Sequence, residues 1–327
     1  MKTMENKSIQ KIKLSAIIGS LAFMVANAAS AQTYSADAVA VENFVGQVEI
    51  VTVSGGNVEL SMDGGDGVRD LPQVAVEDGV LRIYYDKRVK VRQCNESARR
   101  GSGDEWLQSV TVKLKGEKKY KLSAYPTLRV SVPVGTDLLL KRGVIFGSAG
   151  DMGSADITIN SCGEFVIGEI AGDLRVQING SGDIVAGNVA GDLSAGINGS
   201  GDIVVKSVNG ETSLRINGSG DIELASVQTL SASINGSGDI AVDQANGSVD
   251  LSINGSGDIK VRGGEAVPFK ASIRGSGDIV FDGHANNVKV YIAGSGDIHV
   301  ASFEGDLDTG GHRVEVKIDN GRLHVEG

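Results

Sequence analysis

The heptapeptide INGSGDI spans Ile178–Ile184, Ile197–Ile203, Ile216–Ile222, Ile234–Ile240 and Ile253–Ile259, and returns as IRGSGDI from Ile273 and IAGSGDI from Ile292. The leading isoleucines are separated by 19, 19, 18, 19, 20 and 19 residues, and a degenerate copy, INSCGEF from Ile159, adds a further step of 19 upstream. A fixed short period is the signature of a repeat protein, in which one unit cannot bury its own apolar face and must stack on its neighbours. A second landmark, Gly172-Asp173-Leu174, Gly191-Asp192-Leu193 and Gly305-Asp306-Leu307, falls about nine or ten residues from the nearest GSGDI.

Between these landmarks the apolar residues alternate, as in Ile203 and Val205, Ile222 and Leu224, Val249, Leu251 and Ile253, or Val288, Val290 and Ile292. Period two means strands with one buried face. A glycine pair in every unit and no 3.6-residue stripe exclude helices. The expected fold is all-β: a single-stranded β-helix with coils of about 19 residues, each holding two short strands and two corners, stacked about 4.8 Å apart. Roughly nine coils between residues 140 and 318 would make a rod on the order of 45 Å long. The organisation read from the sequence is a signal peptide over 1–31, an N-terminal β region capping the solenoid over 32–139, and the repeat solenoid over 140–327.

The corner NGSGD must reverse the chain within about five residues, so this reading assigns positive φ to Gly180, Gly182 and their equivalents. Asn179, Asn198, Asn217, Asn235 and Asn254 fall one coil apart and can form an amide ladder. Asp183, Asp202, Asp221, Asp239, Asp258, Asp278 and Asp297 fall in a second file, where like charges repel by roughly 0.9 kcal/mol per neighbour even in water. Two arrangements would offset that repulsion: backbone amides of the corner, or bound Ca²⁺ held by the Asp file. GSGDI departs from the calcium-binding nonapeptide GGxGxDxUx in the spacing around its Asp.

Lys2, Lys7, Lys11 and Lys13 precede the apolar run LSAIIGSLAFMVA and the small residues Ala29-Ser30-Ala31. That is a secretory signal peptide cut before Gln32, which makes the protein exported: periplasmic, secreted or on the cell surface. No later stretch approaches the roughly 20 apolar residues of a spanning helix. The chain stops after GRLHVEG at Gly327, so no C-terminal barrel is expected that could carry it through an outer membrane.

With 46 Gly, 4% aromatic and 41% hydrophobic residues, the core must consist of small aliphatic side chains. The net charge of -10 becomes -13 once the leader, with four Lys and one Glu, is removed, so nucleic acid is not an expected partner. Residues 82–129 run against that average, with 13 Lys or Arg against five Asp or Glu. Such a patch suits either an anionic surface or a solvated face balancing acidic residues of the same chain. Cys94 and Cys162 form an even count in an oxidising compartment and are candidates for a disulfide. Trp106, in the polar loop RQCNESARRGSGDEW, packs or anchors. His284, His299, His312 and His324 lack metal-ligand spacing and read as surface residues.

The chain resembles the head GIN domain family of auto-transporter adhesins in FVGQVEIVTVSGGNVELSM from Phe44, VAVEDGVLRIYY from Val74, LRVSVPVGTDL from Leu128 and the INGSGDI coils. The resemblance implies a right-handed extracytoplasmic β-helix with no catalytic residues to carry over. The function that follows is a non-enzymatic structural or binding module, adhesin-like at the cell envelope, with an envelope polysaccharide or another protein as partner and no cofactor. The outward file Ser194, Ser213, Ser231, Asp250, Lys270 and Lys289 suits weak repeated contacts. The alternatives are a calcium-stabilised repeat protein and a polysaccharide-active enzyme. The enzyme would need convergent acids and long groove-building loops that coils of near-uniform length do not supply.

Overall fold

The computed structural model describes residues 31–96, 109–311, 315–319 and 321–326. The leader, Trp106 with most of its loop, and His312 lie outside the described residues.

The repeats form stacked parallel coils, a β-solenoid, within one 22-stranded sheet. Each coil pairs in parallel with the one before it. Ile178, Ile197, Ile216, Ile234, Ile253, Ile273 and Ile292 lie in one file. Ile184, Ile203, Ile222, Ile240, Ile259, Ile279 and Ile298 form a second. All fourteen are buried. The two files bracket the NGSGD corner and sit inside one continuous apolar column. Burying a side chain of this size contributes on the order of 2 kcal/mol, so the two files alone anchor the stack.

The coil has one side more than the two-strand reading expects. Val189, Val208, Val227 and Ala245 form a third inward file, and pairing skips one residue before it: Ala186↔Val205 is followed by Asn188↔Ser207. The skipped residue is a bend. It shows in the sequence only as a spacing of three, Val205 to Val208, where alternation would give two. The irregular coil lengths are absorbed away from the NGSGD corner. The 18-residue coil shifts register between Val208 and Glu211, and the 20-residue coil between Gly247 and Val249.

Near the start of the parallel stack, the strand Ala38–Val53 pairs along almost its whole length with Asp137–Ala149. On its other edge lie Val80–Tyr84 and Thr127–Pro133, themselves covered by the antiparallel strands Gln73–Glu77 and Val58–Asp63. At the other end, Arg322–Glu326 pairs antiparallel with Asp297–Val300 and with Glu315–Asp319. Antiparallel strands at both ends thus pair edges that would otherwise offer unsatisfied backbone groups.

A separate three-stranded antiparallel sheet, Val91–Glu96, Val110–Leu114 and Lys119–Lys121, packs on the flank of the first coils. Side chains on successive positions divide between two cores. Phe44 and Ile145 join the axial column, while Val45, Val144 and Phe146 pack with Val110, Val112 and Leu122 of the flanking unit. Cys94 in this sheet and Cys162 in the coil Ser161–Ile178 form a disulfide with Cα atoms 6.3 Å apart.

Candidate functional site

The repeated corner is bonded to itself. Asn179 Nδ2 donates to Asn160 Oδ1 and Asn198 Nδ2 to Asn179 Oδ1, each at 2.8 Å, and Asn217 and Asn254 continue the file. The Asp file is fastened differently: the backbone N–H of each Asp donates to Oδ1 of the Asp one coil before. These distances run from 2.8 to 3.1 Å for Asp202, Asp221, Asp239, Asp258, Asp278 and Asp297. A carboxylate that accepts an amide is favoured in its charged form, whereas desolvation and the next carboxylate oppose it. Desolvation is the largest influence at Asp239, Asp258 and Asp297, and all three are pushed above the ordinary carboxylate value.

The glycines of this corner differ from the expectation. In the seven GSGDI copies none adopts φ between +20° and +160°, and only Gly163 of the degenerate copy does, at 151°. A Cβ on Gly199, Gly201, Gly218 or Gly220 would instead stand 1.9 to 2.0 Å from the carbonyl oxygen of the corresponding glycine one coil below. Glycine is required there because two backbones approach too closely for any side chain, not because the turn is left-handed.

The seven Asp residues therefore lie in one file along the rod, with one Oδ1 of each but the last already engaged. Ca²⁺ takes six to eight oxygen ligands. Among the described residues, no group of three or more His, Cys, Asp and Glu is arranged to hold a metal ion, His284, His299 and His324 included. The outward file also forms: Ser194, Ser213, Ser231, Asp250, Lys270 and Lys289 are in register.

A different site lies where the flanking sheet meets the coils. Two adjoining hollows, each of about 290 Å³, share Asn43 and Arg142. One is completed by Glu42, Lys141 and Thr158, the other by Arg88, Val89, Lys90, Val91, Gly143, Asn160 and Ser161. Asn43 and Arg142 occupy equivalent corner positions of consecutive coils, since Lys141 pairs with Glu42 and Gly143 with Phe44. Both are left-handed, with φ of 55° and 61°. Asn43 Nδ2 donates to the carbonyl of Tyr85 at 3.1 Å, and its Oδ1 is buried without a partner among the described residues. Glu42 is held by Arg82 at 2.9 Å, and the Arg82 guanidinium also grips Glu77, so its hydrogen bonds to the two carboxylates hold it above its ordinary value.

Sequence reasoning missed this cleft. Arg88 and Lys90 belong to the basic stretch it singled out, but Arg142 and Asn43 lie far from that stretch in the chain. The one local signal was Arg-Gly ending an alternating run, where a corner is due.

Stacked β-coils, closed by intercoil ladders and carrying a flanking sheet, define a β-solenoid repeat protein. The chain belongs to the family described as "Putative auto-transporter adhesin, head GIN domain", whose model matches residues 37–245 and 241–306. Among solved structures, the chain is similar to one described as a putative adhesin from Bacteroides fragilis, with 18% identity over 86% of this chain and 95% of that one and a TM-score of 0.33. No curated protein matches. Among the described residues, no helix is long and apolar enough to cross a membrane.

Proposed function

We propose that this protein is an exported, non-enzymatic, adhesin-like module that works at the cell envelope as a stiff rod carrying a binding surface. One observation carries the reading: the chemistry-bearing residues that recur along the rod are used up in holding it together. The Asn side chains bond the neighbouring Asn, and the Asp side chains accept the amide of the next coil. Catalysis needs acids, bases or nucleophiles converging on one point, whereas a ladder spreads identical groups along an axis. Family membership supports the adhesive reading, and the Lys-rich leader supports export.

The test has two arms. N-terminal sequencing of the protein recovered from outside the cytoplasm should begin at Gln32; recovery of the uncleaved chain in the cytoplasm refutes export. Beads coated with the purified protein should be retained on immobilised envelope polysaccharide or matrix protein, and retention no better than that of albumin-coated beads refutes the adhesive role.

A further inference from the structure

Arg142 is in a conformation that does not suit it. A bulky residue at φ 61° is an outlier, and strain of this kind persists where the surroundings enforce it or a function uses it. The equivalent corner one coil earlier holds Asn43 at φ 55°, and Asn is among the residues that tolerate this region best. The corner therefore does not call for an arginine. What Arg142 adds is a guanidinium at the point shared by both hollows.

The charge around it is one-sided. Lys141, Arg142, Arg88 and Lys90 line the two hollows, against one carboxylate among the described residues, Glu42, that Arg82 already neutralises. Lys141 reaches Asp156 at 3.8 Å, while Arg88, Lys90 and Arg142 have no ion-pair partner among the described residues. The polar lining is rich in groups that bond hydroxyls: Asn43, Thr158, Asn160 and Ser161. Asn160 is also where the asparagine ladder ends; its Oδ1 accepts from Asn179, and its Nδ2 has no partner among the described residues.

We infer that this cleft is a binding site for a polysaccharide bearing carboxylates, a uronate polymer, with Arg142 as the anchor for one carboxylate and Arg88 and Lys90 for the next. Arginine forms paired hydrogen bonds to a carboxylate, and the amides and hydroxyls match a sugar's hydroxyl groups. Two joined hollows of about 290 Å³ each are shaped for more than one residue of a chain. Among the described residues no aromatic ring lines them, so they show no stacking platform of the kind single-stranded nucleic acid uses. Among the described residues the apolar lining is Val89 and Val91, too little to seat acyl chains, which argues against a lipid surface. The proposal rests on the binding-module reading and specifies its ligand.

The experiment measures binding of the purified protein to polygalacturonate, to the same polymer fully methyl-esterified, and to phosphatidylglycerol vesicles. It compares the native protein with Arg142→Asn and Arg142→Gly. Both variants relieve the strained corner, so their melting temperatures should equal or exceed the native value, which separates lost binding from lost fold. The expected result is salt-sensitive binding to polygalacturonate, at least tenfold weaker binding to the ester, and at least a tenfold loss in both variants. No binding to polygalacturonate, or binding that survives both substitutions, overturns the proposal. So does equal or stronger binding to the vesicles. Bead retention by a different surface, unchanged in Arg142→Asn, would leave the adhesive reading standing while removing this cleft from it.

Discussion

Replacing Gly218 by Ala puts the close-approach explanation of the corner to a quantitative test. The new Cβ would lie 2.0 Å from the carbonyl oxygen of Gly199, where 3.0 Å is the least a real Cβ tolerates, so the two coils must separate locally by about 1 Å. Three hydrogen bonds cross that gap: Asn217 N to Ile197 O at 2.7 Å, Ser219 N to Gly199 O at 2.8 Å, and Asn217 Nδ2 to Asn198 Oδ1 at 2.8 Å. Stretched by that amount, none remains within bonding range. At a net contribution of about 1 kcal/mol each, the substitution costs about 3 kcal/mol, or a fall of about 5 °C in melting temperature for a chain of this length. Gly56 is the control, because it has φ of 100° and a methyl group there would meet nothing within 4 Å; Gly56→Ala should cost about 1 kcal/mol. Gly218→Asn separates the two explanations. Asn is tolerated in left-handed turns, so it would rescue a corner whose only need is positive φ, but it is as bulky as Ala at the Cβ. Thermal and urea unfolding followed by circular dichroism should rank Gly218→Asn with Gly218→Ala. A near-neutral Gly218→Asn beside a damaging Gly218→Ala would refute the reasoning.

Four further outcomes are expected. Asp239 and Asp258 have folded-state values above the unfolded one, so their contribution is fully present below about pH 3.8 and is lost as pH rises through the raised values; the native protein should therefore gain stability relative to Asp239→Asn plus Asp258→Asn as pH falls from 7 toward 4, and a constant difference in urea midpoint would contradict this. Because Oδ1 in the Asp file is already engaged by amides, millimolar Ca²⁺ after chelation should leave the melting temperature unchanged; a rise that disappears in Asp221→Asn plus Asp239→Asn would make the file a calcium ladder. Thr212 interrupts a buried file between Leu193 and Leu230 with a hydroxyl that has no partner among the described residues, so Thr212→Val should raise stability by about 1 kcal/mol, measured by urea unfolding. The Cys94–Cys162 bond closes a loop of 68 residues' separation, and Cys162→Ser should cost up to about 4 kcal/mol, with amide exchange rising first in the strands Val91–Glu96 and Val110–Leu114.

The solenoid was legible because its determinants are local and repeated. Alternation, the isoleucine pair flanking NGSGD and the 19-residue step each follow from one coil stacking on the next, so a reader of the chain sees the stack without seeing the fold. The same holds for the asparagine ladder and the outward file, whose members are equivalent by counting alone. Where counting gave out, so did the reading: the third side of the coil hides in one extra residue between Val205 and Val208, and the reason for each corner glycine lies in the coil below it rather than in its own turn.

The sequence by itself determined an all-β stacked repeat and the identity of its ladders, because periodic contacts need no information beyond the period. The tertiary structure alone decided that the sheet of Val91–Glu96, Val110–Leu114 and Lys119–Lys121 docks on the flank of the first coils, and that Arg88 and Lys90 meet Arg142 and Asn43 in one cleft. Those residues come from separate, non-repeating segments, and their proximity depends on how two cores share the alternating sides of the strands Ala38–Val53 and Asp137–Ala149.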